Sequence, residues 1–185
     1  MRGPEPETDD APPAHAADST AEHALAALRS GLSADVADAD LRPQVTRLLA
    51  ASLQPGDHVI ARRLLEQEVA ALERAGRGAT ETLYTLVAIV ARYADPEDAL
   101  LVWRTREATP ETRAGLDVEQ MARLGVSAAR RALQAIIREG GAQGAEASRA
   151  LEWLESGARS GAFDDLPAYF AWSDERFGLH VSGPT

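Results

Sequence analysis

The chain is divided from about residue 20 to residue 176 into amphipathic segments of helix length. Each segment is bounded by Gly, Pro or a Ser, Thr or Asp residue, the residue types that begin and end helices. No stretch alternates apolar and polar side chains for long enough to predict a strand. We therefore expect an all-α protein of about eight helices, in which antiparallel hairpins stack as a short α-solenoid or pack as a compact helical bundle.

Cap and breaker residues predict where individual helices begin. Thr80 precedes a segment whose apolar residues, from Leu83 to Tyr93, cover most of the helix circumference. A helix that is apolar nearly all round belongs at the centre of the packing. Asp95-Pro96 and Thr109-Pro110 each combine a capping residue with a proline that the first turn tolerates, and Ser127 is expected to cap a later helix.

An internal similarity suggests that two helical hairpins are related. Ala61-Arg62-Arg63 recurs as Ala129-Arg130-Arg131, 68 residues later. At the same offset Leu65 matches Leu133 and Leu86 matches Leu154. Matching core positions in two hairpins are typical of helical repeats, so the sequence predicts a repeat.

Charge and composition predict a short acidic tail followed by one domain. Residues 1–18 are rich in Pro, Ala and acids and are expected to be disordered, and residues 19–185 form a single helical domain. The net charge of the whole chain is −10. Such a charge argues against nucleic acid as a main partner and favours a basic one.

Several classes of site are not expected. The chain has no Cys, so disulfides and thiol nucleophiles are excluded, and its four His show no metal-binding spacing. No catalytic signature is present, and we predict a protein that is not an enzyme and carries neither metal nor cofactor. No segment is apolar enough to span a membrane and no leader is evident, so we expect no membrane partner and a cytoplasmic location.

Two carboxylates fall on apolar helix faces and mark a candidate site. Glu68 lies within the apolar arc of its helix, and Glu107 follows Trp103 by one turn. A buried carboxylate needs a partner or a polar cleft, and Arg104, Arg106 and Arg113 are near in sequence. One interpretation is a structural Arg–Glu network. The other is a polar pocket that binds a ligand or partner, and catalysis by the two carboxylates as an acid–base pair is its least favoured use. The residues of this pocket would be Glu68, Trp103, Arg106, Glu107, Arg113 and Asp117.

Residues 116–127 resemble the first helix and turn of a DNA-binding helix-turn-helix, and an Arg-bearing segment follows. Arg131 stands where the second helix of that motif should bury an aliphatic residue. Met121 stands where a small residue should let the helices touch. Together with the acidic charge, these departures favour an ordinary helical hairpin, and DNA binding is the weaker alternative.

Aromatic residues are concentrated near the C-terminus. Six of the nine Phe, Trp and Tyr residues lie between Trp153 and Phe177, among them Trp172. The rings either seal the end of the helical stack or are exposed as anchors for a protein partner.

These observations favour a non-enzymatic protein–protein interaction module with an acidic surface. One version is an immunity or antitoxin protein that masks a basic toxin, and another is a regulator or adaptor. The alternatives are a small-molecule-binding or enzymatic helical domain that uses the carboxylate–Arg pocket, and a helix-turn-helix regulator. An exposed patch that combines Trp or Tyr with acids would favour the interaction module.

Overall fold

A computed structural model of the chain describes residues 14–32, 40–75 and 78–180, with backbone alone for residues 14–17. Within these ranges the chain forms ten α-helices and no strand, so the all-α prediction is confirmed as a compact bundle. A single 3₁₀ turn, Pro96–Asp98, connects α4 to α5. The helices are α1 (Ala14–Arg29), α2 (Leu41–Ala51), α3 (Asp57–Ala75), α4 (Glu81–Arg92), α5 (Ala99–Glu107), α6 (Pro110–Gly115), α7 (Val118–Ala122), α8 (Val126–Glu139), α9 (Gly141–Ser160) and α10 (Leu166–Arg176).

Helix α4 is the central helix, as its apolar sequence predicts. Leu83 and every residue from Leu86 to Ala91 are fully buried, and α2, α3 and α7 pack around the helix. Burial of each large aliphatic side chain contributes about 1.5–3 kcal/mol, so this helix supplies much of the apolar stabilisation. Thr80 caps it, since the Thr80 hydroxyl oxygen accepts from the Leu83 amide at 3.1 Å.

Two hairpins correspond to the internal similarity in the sequence. Helix α3 packs against α4, and α8 packs against α9. Leu65 and Leu133 are both fully buried, and so are Leu86 and Leu154. Equivalent positions of the two hairpins are therefore both buried in the core. That the two hairpins are copies of one repeat stays a prediction.

The predicted helix starts are partly confirmed. Thr109 forms a capping box with Thr112, in which each hydroxyl accepts from the other residue's amide. Asp95 caps the 3₁₀ turn through the Glu97 amide. The prediction for Ser127 is wrong, because the N-cap of α8 lies two residues earlier. Gly125, at φ +84°, makes the turn, and its carbonyl accepts the first helical hydrogen bond from Ala129.

The N-terminal helix begins at Ala14, so it includes the last five residues of the segment 1–18 that the sequence predicts to be disordered. Residues 1–13 of the predicted acidic tail lie outside the described residues. An ion pair ties α1 to α3, since the Arg29 guanidinium donates to both carboxylate oxygens of Asp57, at 3.0 and 2.6 Å. None of the described helices has the length and apolar character needed to cross a bilayer.

Candidate functional site

The structure places Glu68 in a buried ion pair. Its side chain accepts from the Arg42 guanidinium at 2.9 Å and from the Thr80 hydroxyl at 2.8 Å. These contacts join α2, α3 and the start of α4. The buried carboxylate is therefore satisfied by Arg42, 26 positions away in sequence, and not by Arg104, Arg106 or Arg113. Glu68 lies apart from the other predicted site residues.

Glu107 belongs to a half-exposed cluster at the end of α5. It pairs with Arg106 and, at 3.0 Å, with Arg113. The Arg106 guanidinium stacks over two indole rings, 5.4 Å from the centroid of Trp103 and 4.9 Å from that of Trp153. The structure thus brings together four of the predicted residues, and the two arginines share the single carboxylate of Glu107.

A charged groove of about 690 Å³ runs beside this cluster. Trp103 and Glu107 line it, with residues of α3, α8 and α9. Its exposed charges include the Arg104–Glu146 pair, whose Nη2 and Oε2 atoms are 2.7 Å apart. Five glutamates and three arginines line it, so its walls carry charges of both signs with an excess of acids.

Asp117 and Trp172 line a separate pocket, which lies between α4, α7 and α10. We call this site the aromatic pocket and define it by Tyr84, Asp117, Gln120, Tyr169 and Trp172. Its volume is about 340 Å³, near the lower end of the range for ligand sites. Trp172 is 51% exposed, and its ring lies 5.6 Å from that of Tyr169, centroid to centroid. The pocket therefore has room for one side chain or a small molecule, under an exposed indole.

A directed hydrogen-bond network forms the polar wall of the aromatic pocket. The Tyr169 hydroxyl donates to the Asp117 carboxylate at 3.1 Å, so its oxygen is left to accept. The Gln120 amide nitrogen donates to that oxygen at 3.2 Å and to the Ser173 hydroxyl at 3.0 Å. This arrangement sets the orientation of the amide, and Oε1 of Gln120 is then a buried acceptor with no hydrogen-bond donor among the described residues.

Acidic side chains outnumber basic ones at the aromatic pocket, since Glu81 and Asp117 line it together with Arg176. Burial, then the charge of Asp117 and a hydrogen bond to it, raise the pKa of the Tyr169 phenol. Burial, then the charges of Asp117 and Glu111, raise the pKa of Tyr84. Both rings therefore stay neutral at physiological pH, and the same carboxylates that oppose a phenolate would attract a cation.

Gly115 sets the position of Tyr84. A methyl group built on Gly115 would clash with the Tyr84 hydroxyl. The Tyr84 ring can therefore lie against the backbone between α6 and α7 only because this residue has no side chain.

One group of side chains in the described ranges could supply metal ligands: His58, Asp95 and Asp98. Asp98 is fully buried, and its Oδ2 lies 2.5 Å from Nε2 of His58. The other oxygen of Asp98 lies 3.3 Å from the Arg62 guanidinium, and Nδ1 of His58 lies 4.0 Å from Asp95. Nε2 of His58 is therefore hydrogen-bonded to Asp98, whereas the distance from Nδ1 to Asp95 is too long for a hydrogen bond, so a direct His–Asp contact occupies one of the two ring nitrogens.

The structure places the arginines of the segment resembling a helix-turn-helix in two different surroundings. Arg131 and Arg138 are exposed on α8, whereas Arg130 lies 3.7 Å from Glu155 of α9. Helix α7, which would be the first helix of the motif, has only five residues.

Sequence reasoning missed Tyr84, Gln120 and Tyr169 as members of one site. They come from three helices, and Gln120 is 49 positions from Tyr169. The available signal was the aromatic cluster in α10, which indicated the surface but not its polar wall.

No protein-family model matches the chain, and comparisons with curated proteins and with solved structures likewise find no match.

Proposed function

We propose that the protein is a non-enzymatic interaction module that binds a basic protein partner through the face around the aromatic pocket. The observation that carries this proposal is the exposed indole of Trp172 beside the carboxylate of Asp117. Interface hot spots are enriched in Trp and Tyr that anchor in or beside pockets. An immunity or antitoxin protein, an adaptor and a regulator would all use such a face.

The charges of this face favour a basic partner. Asp117 and Glu111 are exposed next to the pocket, and the whole chain carries a net charge of −10. Complementary charges accelerate encounter and exclude acidic competitors, while a buried aromatic anchor supplies most of the affinity. The combination fits recognition of a protein surface better than turnover of a substrate.

The predicted alternative, a ligand pocket shared by Glu68, Trp103 and Glu107, has less support. Glu68 already has two partners inside the bundle. Glu107 is paired with two arginines, so neither carboxylate offers a free acid–base group. We therefore place the binding surface at Trp172 and not at Trp103.

Affinity capture with matched variants tests the proposal. Tagged wild-type protein and its Trp172→Ala and Val59→Ala variants are exposed to native lysate, either nuclease-treated or untreated, and the bound proteins are quantified by mass spectrometry. Val59 is the control because it is 73% exposed and does not line the aromatic pocket. Loss of a hot-spot anchor weakens binding about 30-fold or more.

We expect one stoichiometric protein that the wild type and Val59→Ala retain and Trp172→Ala loses. Retention of the partner by the wild type and by both variants would mean that the interface lies elsewhere, and would contradict the proposal. Capture that disappears on nuclease treatment would favour the helix-turn-helix alternative instead.

A further inference from the structure

We infer that the aromatic pocket receives the guanidinium group of an arginine side chain from the partner protein. This inference rests on the proposed function, and it specifies the chemistry that the binding face recognises. Three features of the pocket carry it: an unsatisfied acceptor, an excess of negative charge and two adjacent aromatic rings.

The unsatisfied acceptor is the carbonyl oxygen of Gln120. The residue is only 4% exposed, and within the described part of the chain no donor reaches Oε1. A buried polar atom without a hydrogen bond destabilises the folded protein, typically by about 1–3 kcal/mol. Gln120 lines the pocket, so an incoming group whose N–H reaches Oε1 satisfies that atom, and one without an N–H leaves it unsatisfied.

The excess negative charge comes from Asp117. One of its oxygens accepts from Tyr169, and the carboxylate is otherwise exposed at the pocket. Arg176 also lines the pocket, but it lies 3.6 Å from Glu81, so these two charges oppose each other. A cation that enters the pocket therefore meets a net attraction.

The aromatic faces suit a planar cation. Tyr169 and Trp172 are 5.6 Å apart, with ring planes inclined at 46°. The same molecule already places guanidinium groups over rings, since Arg123 lies 4.9 Å from the Phe170 centroid and Arg106 lies 4.9 Å from that of Trp153. Guanidinium stacks on aromatic faces while its N–H groups remain available in the plane.

These features distinguish arginine from other cations. A quaternary ammonium has no N–H for Gln120, and a lysine ammonium is more strongly hydrated and cannot stack as a plane. Free arginine carries a carboxylate that Asp117 and Glu111 would repel. The arginine is therefore one within a polypeptide, where its carboxyl group is an amide.

Nuclear magnetic resonance of the full-length, ¹⁵N-labelled protein tests the inference. The probes are N-acetyl-arginine amide, its neutral isostere N-acetyl-citrulline amide, N-acetyl-lysine amide with a free side-chain ammonium, and N-acetyl-arginine with a free carboxylate. The readouts are the indole N–H of Trp172 and the side-chain amide of Gln120, with the indoles of Trp103 and Trp153 as internal controls.

We expect the arginine amide to shift both Trp172 and Gln120 resonances and to leave the other two indoles unchanged. The citrulline and lysine amides should bind at least about 10-fold more weakly, because a charged and multiply hydrogen-bonded group is lost. The free carboxylate should also weaken binding. Asp117→Asn, a change at an exposed side chain, should weaken binding of the arginine amide several-fold while the spectrum stays folded.

Equal binding of arginine and citrulline amides, or no shift at Trp172 with the arginine amide, would overturn the inference. If Trp172→Ala nevertheless loses the captured protein, the proposed interaction face is supported and only the proposed recognition of arginine is contradicted. If the arginine amide binds as expected but Trp172→Ala still captures the partner protein, the guanidinium site is supported and the proposed function is contradicted.

Discussion

Replacement of Arg42 by methionine breaks a buried ion pair, and we expect it to lower the free energy of unfolding by about 3 kcal/mol. Only 3% of the Arg42 side chain and 11% of the Glu68 side chain are exposed, and Nη1 and Oε2 are 2.9 Å apart. Removal of one partner of such a pair typically costs about 3–5 kcal/mol, because the other charge stays buried. Glu68 keeps its hydrogen bond from Thr80, which places the loss at the lower end. Methionine preserves most of the apolar stem, so little cavity is created.

The matched control is Arg104→Met, which removes an exposed pair of the same kind. The Arg104 and Glu146 side chains are 43% and 33% exposed, and their atoms approach to 2.7 Å. Solvent-exposed pairs contribute about 0–1 kcal/mol, so the two substitutions should differ by about 2–3 kcal/mol. Urea denaturation followed by far-ultraviolet circular dichroism measures both.

A second substitution separates the ion pair from general packing. Arg42→Met combined with Glu68→Leu removes both charges, and we expect the double variant to recover most of the lost stability. A loss for Arg42→Met no larger than that for Arg104→Met would refute the reasoning, because the buried charge would then carry no penalty.

Two further predictions concern packing and protonation. A methyl group on Gly157 would lie 2.6 Å from Val118 and 3.0 Å from Phe163, so Gly157→Ala should destabilise the protein by about 1–2 kcal/mol in urea denaturation. Gly56→Ala, whose methyl group meets nothing within 4 Å, is the control, and equal stability of the two would contradict this prediction. Burial raises the pKa of Asp98, so the folded state holds a proton there that the unfolded state releases. As the pH falls from neutral towards about 4, the wild type should gain stability relative to Asp98→Asn, and a pH-independent difference would show that burial does not dominate.

The helical elements and much of the core were predictable because their signals are local. A capping hydroxyl at Thr80 and the apolar run that follows it specify α4 within a few turns of chain. Where a local signal was ambiguous, the prediction erred by two residues, as at Ser127, since the positive φ of Gly125 decides where α8 begins. Caps and periodicity depend on neighbours three or four residues apart, and the sequence displays these directly.

The candidate site depended on contacts that no local pattern displays. A carboxylate at Glu68 on an apolar face predicted that a partner must exist, because burial of an isolated charge is unfavourable. The identity of that partner, Arg42, followed only from the packing of α2 against α3.

The sequence by itself determined an all-helical chain, a central apolar helix, a net negative charge and an aromatic-rich C-terminal segment. Only the tertiary structure decided that Asp117 and Trp172 share a pocket with Gln120, and that Glu107 does not share one with Glu68. The physical reason is that hydrophobic periodicity states which face of each helix is buried but not which helix covers it. That choice depends on how all the helices pack together, and it alone brings distant side chains within hydrogen-bonding distance.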